Sequence, residues 1–472
     1  MVYDASERVQ AMPHGGLAAA HAVARRTGLV ARLDARLSLL KQHRPYHESD
    51  HVLNIAYNAL CGGRTLEDLE LRRNDEAFLD ALDVEAIPDP TTAGDFCRRF
   101  TDEDIGQLME AINEARVEVW QRQEPSFFQR AVIDVDGTLV PTTGECKEGI
   151  GYCRYKRLWG YHPLLVSLAN TQEPLFVVNR PGNVNSHKGA AAYLDQAIAL
   201  CQRAGFLEVL MRGDTDFSQS THLDRWDAQG VKFAFGYDAK PVFQAKADAL
   251  GEDRYTELER RAKRAFVELD QRRARPRRFR EEVVKAKGYK NIRLRSEDIA
   301  EFEHKPRACK KAYRMVVLRK NLSIEQGDNA LVEDIRYFFY ITNDASMTAA
   351  EVVFTNNDRC NQENLIEQLK NGVRALHAPV NSLYANWAYM VMTSLAWTLK
   401  AWLALLLPTS PRWRALHQAD RRRWLKMDFR TFRKRVIDVP VQILTSGRQR
   451  IWRLLAWRPE LRALIRLATA PG

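Results

Sequence analysis

The sequence has few cysteines, and their spacing builds no structural site. Its 472 residues include seven, with neither a CxxC pair nor a zinc-finger spacing among them. They stand at positions 61, 97, 146, 153, 201, 309 and 360. A chain this long buries a sizeable core without cross-links, and an odd, scattered set is typical of reduced thiols. A small disulfide scaffold is therefore excluded, and we expect a cytoplasmic protein.

Segments that direct a chain to a membrane are also scarce. Residues 1–16 lack the apolar core of a signal peptide. One stretch, Tyr384 to Leu407, is apolar over a length that could span a bilayer. Asn386 and Lys400 interrupt it, and a buried helix of a large protein is also apolar all round. The pattern favours a core helix, and no membrane is expected as a partner.

Charge is unevenly distributed. The chain has 71 Lys and Arg against 60 Asp and Glu, a net charge of +11. From Pro411 to Gly472 there are 16 Lys and Arg against 4 Asp and Glu, so this end carries +12 and the rest −1. A basic end on a near-neutral body indicates a polyanionic partner, and a solvated helical face is the alternative interpretation.

Hydrophobic periodicity separates a helical start from an α/β middle. The pattern predicts helices in residues 1–125, including 18–40 and 103–121. Residues 87–100 contain a turn followed by a short helix, with Thr92 as a candidate N-cap, and this arrangement resembles the entry to a helix-turn-helix. Strands are predicted at 130–140, 164–170, 175–182, 206–214 and 231–237, with helices at 188–204 and 221–229. The order β-β-β-α-β-α-β is that of an RNase H-like fold with a mixed five-stranded sheet.

A partly β domain is predicted to interrupt this core. It opens with a charged helical run, Tyr255 to Glu282, and continues with strand patterns at 313–320, 335–343 and the start of 351–356. A helix at 362–376 then returns to the core. The predicted organisation is a helical DNA-binding region (1–125), an RNase H-like core in two parts (126–238 and 353–410), the insertion (239–352) and a basic helical C-terminal region (411–472).

Acidic residues stand where such a fold would place a site. Asp134 and Asp136 lie two apart on the first strand and so share one face. Asp214 ends the fourth strand, and Glu363 opens the late helix. Neighbouring first and fourth strands would bring these carboxylates together, although each acid alone could be a surface or capping residue. Clustered carboxylates suit hard divalent cations, and two such ions can assist phosphodiester cleavage.

The late helix adds a further pattern, R-x3-E-x6-K, formed by Arg359, Glu363 and Lys370. Glu363, Glu367, Lys370 and Arg374 form a polar stripe beside an apolar one. With these pieces the sequence resembles the DDE transposases of bacterial insertion sequences, and most closely the thirteen-eighty family, related to the insertion-sequence-four group. The likeness runs from about Gly15 to about Ala456 and is carried by IDVDGT, VPTTGE, GYHPLLVSLANT, LMRGDTDF, DRCNQENLIEQLKNG, NSLYANWAYMVMTSLAW and FRKRVIDVPVQILTSGR.

The resemblance implies a catalytic triad. Its acids fall on Asp136, Asp214 and Glu363, separated by 78 and 149 residues. They are expected to hold two Mg²⁺ ions, for which Mn²⁺ can substitute. The expected activity is cleavage at the inverted repeats of the element and transfer of the freed strand to target DNA.

The resemblance also implies contacts with double-stranded DNA and a synaptic homodimer, in a bacterial cytoplasm near the nucleoid. Arg359 and Lys370 are expected at DNA phosphates, and Arg212 is a further candidate. Relatives often carry Tyr where this chain has Asn356, and a small residue where it has Asp216. A base flipped beside the cut would need an aromatic side chain, and the candidates are Tyr337, Phe338, Phe339 and Tyr340.

A second enzyme class shares one motif. Asp134-Val135-Asp136-Gly137-Thr138 after an apolar strand also resembles haloacid dehalogenase-type phosphatases, with Asp134 as nucleophile and Asp136 as acid/base. That fold expects an early crossover helix, whereas two more strands follow here. It also leaves the R-x3-E-x6-K pattern and the basic tail without a role, so the transposase interpretation is favoured.

Overall fold

A computed structural model describes residues 10–144, 146–259, 290–326, 329–447 and 449–469, together with Met1, 282–283 and 286–288. The chain forms two compact units. The first joins Met1–Val209 to Asn361–Gly472, and the second is the continuous stretch Leu210–Cys360. Most of the predicted charged helix Tyr255 to Glu282 lies outside the described residues. The division into five regions therefore stays a prediction.

Helices dominate both ends of the chain. In order they are α1 Leu17–Arg26, α2 Leu29–Arg36, α3 Glu48–Leu60, α4 Leu69–Arg73, α5 Glu76–Leu82, α6 Pro90–Arg98, α7 Asp102–Gln121, α8 Ala190–Ala204, α9 Ser220–Ala228, α10 Pro241–Asp248, α11 Ala349–Asn357, α12 Cys360–Glu367, α13 Leu383–Leu405, α14 Arg414–Lys426, α15 Phe429–Phe432 and α16 Leu461–Thr469.

Two details of the predicted N-terminal helices are wrong. The helix expected at 18–40 is broken into α1 and α2 by Gly28, which adopts φ +68°, a conformation that glycine reaches without strain. The cap of α6 is Asp89 rather than Thr92. Asp89 accepts a hydrogen bond from the backbone N–H of Thr92 at 3.0 Å, because the helix begins at Pro90, a favoured first helical residue.

Strands occupy mainly the middle of the chain, with a short strand near its start and a pair in its tail. In order they are β1 Gln10–Met12, β2 Arg130–Gly137, β3 Val140–Pro141, β4 Gly151–Cys153, β5 Leu158–Tyr161, β6 Leu164–Leu168, β7 Glu173–Val178, β8 Glu208–Gly213, β9 Lys232–Tyr237, β10 Thr256–Glu257, β11 Lys290–His304, β12 Tyr313–Gln326, β13 Asn329–Thr342, β14 Val441–Ser446 and β15 Gln449–Leu454.

The apolar helix α13 lies at the centre of the first unit. Its residues from Ala385 to Leu405 are buried, and it packs against α1, α3, α7 and β7. Its polar interruptions are hydrogen-bonded: Asn386 Nδ2 donates to Val380 O at 2.8 Å, and Lys400 Nζ donates to Leu425 O at 2.8 Å. The prediction of a core helix is confirmed. Within the described residues, no helix combines the length and apolarity needed to cross a bilayer.

Strands β2, β6 and β7 lie side by side in the first unit, in antiparallel order. These are the predicted meandering strands, and the helices and strands that follow up to β9 occur in the predicted order. Short strands that were not predicted intervene between β2 and β6, where β3, β5 and β4 form a small antiparallel sheet.

The second unit contains a mixed sheet. From Leu210 to Gly213, β8 runs parallel to β9, and β9 pairs with β13 in antiparallel fashion. Strands β12, β11 and β10 continue the sheet outward. The strands predicted at 313–320 and 335–343 are confirmed, and through β13 they extend the same sheet. The protein is thus mixed α/β, while a five-stranded RNase H-like core stays a prediction.

Two predicted elements differ in type. The strand expected at the start of 351–356 is part of helix α11. Its β-branched residues favour a strand, but a capping box between Thr348 and Glu351 stabilises the start of a helix there. The C-terminal region is only partly helical. Strands β14 and β15 form a hairpin, and β1 from the start of the chain pairs with β14.

Candidate active site

Asp136 lies at the end of strand β2, and its neighbours fix where it can point. Its Oδ1 accepts a hydrogen bond from the backbone N–H of Gly137 at 2.7 Å. Asp136 is half-buried, whereas Asp134 is only 1% exposed. On strand β6, Leu165 stands opposite Asp136 and Ser167 stands opposite Asp134. Of the two strand carboxylates, Asp136 is the one that a large substrate can reach.

The helix that carries Glu363 is anchored to the same pair of strands. Gln362 is 1% exposed. Its Nε2 donates to the carbonyl oxygen of Leu165 at 3.3 Å, and its Oε1 accepts from Ser167 Oγ. Both contacts are to residues that pair with β2. Gln362 therefore fixes α12 across β6 beside Asp136, and leaves Glu363 exposed to solvent.

Lys370 provides a second anchor from the same segment. Its Nζ donates to the carbonyl oxygen of Leu139 at 2.8 Å, just beyond the end of β2. Burial of the ammonium lowers the pKa of Lys370, and the negative charges of Glu367 and Asp136 oppose this shift. The ammonium of Lys370 thus lies close enough to Asp136 for the two charges to interact.

The predicted polar stripe holds only in part. The α-helix ends at Glu367, and the chain widens into a π-helical turn at Gln368–Gly372 that contains Lys370. Arg374 has φ +59° and so lies outside the helix. The neighbouring apolar stripe is buried as predicted, and its members are Ile366, Leu369, Val373 and Leu376.

Asp214 belongs to the second unit and caps a short turn. It directly follows β8, and its Oδ1 accepts from the backbone N–H of Asp216 at 3.0 Å. Asp214 is half-buried, while Asp216 is exposed. Gly236 on the adjacent strand β9 lies tight against this turn. A Cβ there would stand 3.0 Å from Thr215 N and 3.2 Å from the carbonyl carbon of Asp214.

The arginines of the second unit differ in accessibility. Arg212 is 5% exposed, and its Nη1 donates to Thr355 O on α11 at 2.9 Å. It therefore braces the helix that precedes Arg359, and a DNA contact of its own stays a prediction. Arg359 is half-buried. Asn356, at the position where relatives often have Tyr, is 8% exposed and donates to Val352 O.

Residues His47 to His51 match the HExxH pattern of zinc peptidases, but the structure uses them otherwise. His47 is the N-cap of α3 and lies outside the helix, so the two histidines do not share a helical face. Glu48 is buried and accepts hydrogen bonds from the backbone N–H groups of Leu39 and Leu40. The ring of His51 stacks on the ring of Phe96, with the two ring centroids 4.4 Å apart. This segment is structural.

Comparison with known proteins identifies the family. A family model described as the transposase DDE domain, group 1, matches residues 9–470. The chain belongs to the DDE transposases. Among curated proteins, no sequence matches it. A cryo-EM structure of piggyBac transposase, in a synaptic complex with hairpin DNA, is similar at 11% identity and a TM-score of 0.38, over 90% of this chain and 80% of that one.

Membership in this family establishes the general type of reaction. DDE transposases are DNA-cutting and DNA-joining enzymes that use divalent metal ions, and the protein acts in DNA transposition and recombination. The phosphatase alternative finds no support. Its nucleophile would be Asp134, which is 1% exposed in the sheet, where a phosphate ester cannot reach it.

The transposase carboxylates offer only oxygen donors, which fit a hard divalent cation. Among the described residues, the structure shows no group of three or more His, Cys, Asp or Glu that could hold an ion. What it brings together, in the first unit, is the strand of Asp136 and the helix of Glu363. The residues that do this, Gln362 and Ser167, were missed from the sequence, because a buried amide and hydroxyl have no sequence signature.

Proposed function

We propose that the protein binds the terminal inverted repeats of its own insertion sequence and moves that element by cut-and-paste transposition. Asp136, Asp214 and Glu363 act as the catalytic triad of an RNase H-like core of the thirteen-eighty type, and would hold two Mg²⁺ ions, or Mn²⁺ in their place. The observation that carries the proposal is the anchoring of the Glu363 helix by Gln362 to the strand paired with Asp136.

In this proposal, different residues of the chain have different roles in the reaction. Bound divalent ions lower the pKa of a water and offset charge on the leaving oxygen of a phosphodiester. The Gly137 N–H keeps Asp136 oriented, and Gln362 does the same for the Glu363 helix. Lys370 holds a DNA phosphate beside the cut, since its ammonium lies close enough to Asp136 for their charges to interact. Arg359, four residues before Glu363 in the sequence, holds another. Arg212 acts as a positioning residue through Thr355.

The remaining steps follow from the proposed class. The 3′-hydroxyl freed at the element end attacks target DNA at the same triad. A homodimer holds both element ends, and the protein works in the bacterial cytoplasm at the nucleoid. Phe338, which is 41% exposed, is the most accessible member of the proposed aromatic set; Tyr337 and Tyr340 are half-buried, and Phe339 is 2% exposed in the sheet.

The test is cleavage of an end-labelled duplex that carries the element end, in Mg²⁺. Asp136→Asn, Asp214→Asn and Glu363→Gln are each expected to reduce cleavage by orders of magnitude and to leave duplex binding intact, because the carboxylates hold ions rather than read DNA. Asp216→Asn and Glu367→Gln are matched controls, exposed acids on the same two segments. Full-rate cleavage by any triad variant would reject that residue, and a cleavage defect in Glu367→Gln alone would move the assignment one turn along the helix.

A further inference from the structure

Strands β4 and β5 form a hairpin, residues 151–161, whose tip exposes aromatic side chains. Tyr155 is 88% exposed, Trp159 56% and Tyr152 40%. The rings of Tyr152 and Trp159 pack with centroids 5.4 Å apart, and the ammonium of Lys156 lies 5.1 Å from the centre of the Tyr155 ring. Exposed apolar surface grouped in this way marks an interaction site more often than scattered single residues do.

The charge on the same tip is all of one sign. Arg154, Lys156 and Arg157 are exposed, and residues 151–159 include no acid. Aromatic faces interleaved with cations are the combination that binds unpaired nucleotides, because bases stack on the rings while the cations meet the phosphates. A protein partner with an apolar patch would not account for the three cations.

The base of the hairpin is packed too tightly to move independently. A Cβ on Gly160 would lie 2.1 Å from Val140 O, and one on Gly182 would lie 2.1 Å from Gly160 O. Tyr161 is fully buried, and its hydroxyl donates to Glu148 O at 2.7 Å. The two strands that carry Tyr152 and Trp159 therefore extend from a fixed base, which lowers the conformational entropy cost of binding.

The hairpin also lies next to the proposed catalytic strand, within the first unit. Its strand β5 pairs with β3, with Val140 opposite Tyr161, and β3 begins three residues after Gly137. A Cβ on Gly137 would stand 3.1 Å from Nε2 of His162, the residue that follows the hairpin. Since Asp136 immediately precedes Gly137, the base of the hairpin lies beside the proposed position of the cut.

We propose that the 151–161 hairpin binds unpaired DNA bases beside the cut, with Trp159 and Tyr152 stacking on base faces and Arg154 and Arg157 holding the phosphates between them. An intact duplex hides its base faces, so the hairpin selects single-stranded or opened DNA. The location of this site at the cut rests on the proposed function, but the binding itself is non-covalent and can be measured without cleavage.

The experiment uses the full chain and two probes, a 20-nucleotide oligothymidylate and a blunt duplex of equal length. Trp159→Ala is expected to weaken oligothymidylate binding about tenfold and duplex binding far less, and Trp159→Phe is expected to restore most of the affinity. Tyr155→Ala tests a residue too exposed to affect folding. Leu158→Ala is the matched control, since Leu158 is 45% exposed on the same hairpin but has no aromatic face.

Photocrosslinking gives the second readout. A single strand with 5-iodouracil is expected to attach to the peptide that contains residues 152–159. Equal weakening with both probes, or crosslinks confined to other peptides, would overturn the proposal. Asp136→Asn separates it from the function proposed above: the crosslink is expected to persist in that variant, whatever happens to cleavage.

Discussion

Gln362 donates a hydrogen bond to the carbonyl oxygen of Leu165, the residue that stands opposite Asp136 in the neighbouring strand. Through this contact a helix from late in the chain is fixed to a strand almost two hundred residues earlier, which pairs with the strand of Asp136. The buried amide of Gln362 therefore contributes, with the Lys370 contact to Leu139, to the position of Glu363 relative to Asp136.

Replacing that amide is expected to affect both stability and catalysis. Gln362→Leu keeps the side chain of similar size but leaves Ser167 Oγ and Leu165 O without their partner, at a cost of about 1–3 kcal/mol in the free energy of unfolding. Cleavage is expected to slow while duplex binding is retained. Asn364→Ala, at an exposed position on the same helix, is the control. An unchanged cleavage rate in Gln362→Leu would show that Gln362 does not position the helix.

Gly236→Ala is expected to displace the backbone of the turn that holds Asp214. The added methyl would press on Thr215 N and the carbonyl carbon of Asp214, neither of which can yield as a flexible side chain does. The turn that holds Asp214 must shift, so cleavage is expected to fall while the protein stays folded. Gly106→Ala is the control, because a Cβ at Gly106 meets nothing within 4 Å. Equal cleavage by both variants would mean that the Asp214 turn tolerates displacement.

The sequence predicted the α/β core because its signals there are local. The β-branched run of β2 and the helical spacing of Ile366, Leu369 and Val373 each indicate their element without reference to the rest of the chain. The capping box of Thr348 and Glu351 was equally local, and it was outweighed by the β-branched residues of 351–356, which led to the wrong strand. To predict whether such a segment is a helix or a strand, capping residues must be considered together with the intrinsic propensities of its residues.

Other features could not be predicted, since distant residues determine them. The π-helical turn after Glu367 follows a helical sequence pattern, but Gln368 Oε1 accepts from the backbone N–H of Phe429 at 2.9 Å, a contact across about sixty residues. The pairing of β1 with β14 joins the two ends of the chain. The candidate triad was recognised from its resemblance to a family, and the Gln362 anchor emerged only from the structure.

The basic tail contributes charge from a folded region. Trp424, Phe429 and Phe432 are buried, so deleting the tail would remove core residues. The triple change Arg422→Gln, Lys426→Gln and Arg430→Gln alters exposed cations instead. It is expected to weaken duplex binding and to reduce the slope of log affinity against log salt by roughly 0.9 for each phosphate that is no longer neutralised. Arg98→Gln, at a cation paired with Asp95, is the control, and an unchanged slope in the triple variant would exclude these three residues from the DNA interface.

Lys400 is expected to make stability depend on pH. Its burial lowers the pKa of the ammonium from 10.5 to about 7, a shift that the charge of Asp428 opposes. Between these two values the unfolded chain holds the proton and the folded chain does not, so stability rises with pH across that window. Lys400→Met is expected to flatten this rise and to raise the melting temperature at pH 7, whereas Lys188→Met, at an exposed lysine, changes neither. A rise that persists in Lys400→Met would assign it to another group.

Binding of the divalent ions by Asp136, Asp214 and Glu363 is tested most directly by affinity cleavage. Fe²⁺ replaces Mg²⁺ in the full-length protein bound to element-end DNA, and ascorbate with peroxide then cuts the polypeptide near the bound iron. Cuts are expected around residues 136, 214 and 363, and they are expected to disappear in Asp136→Asn. Cuts that map elsewhere, or a pattern unchanged by Asp136→Asn, would contradict the assignment of these three carboxylates.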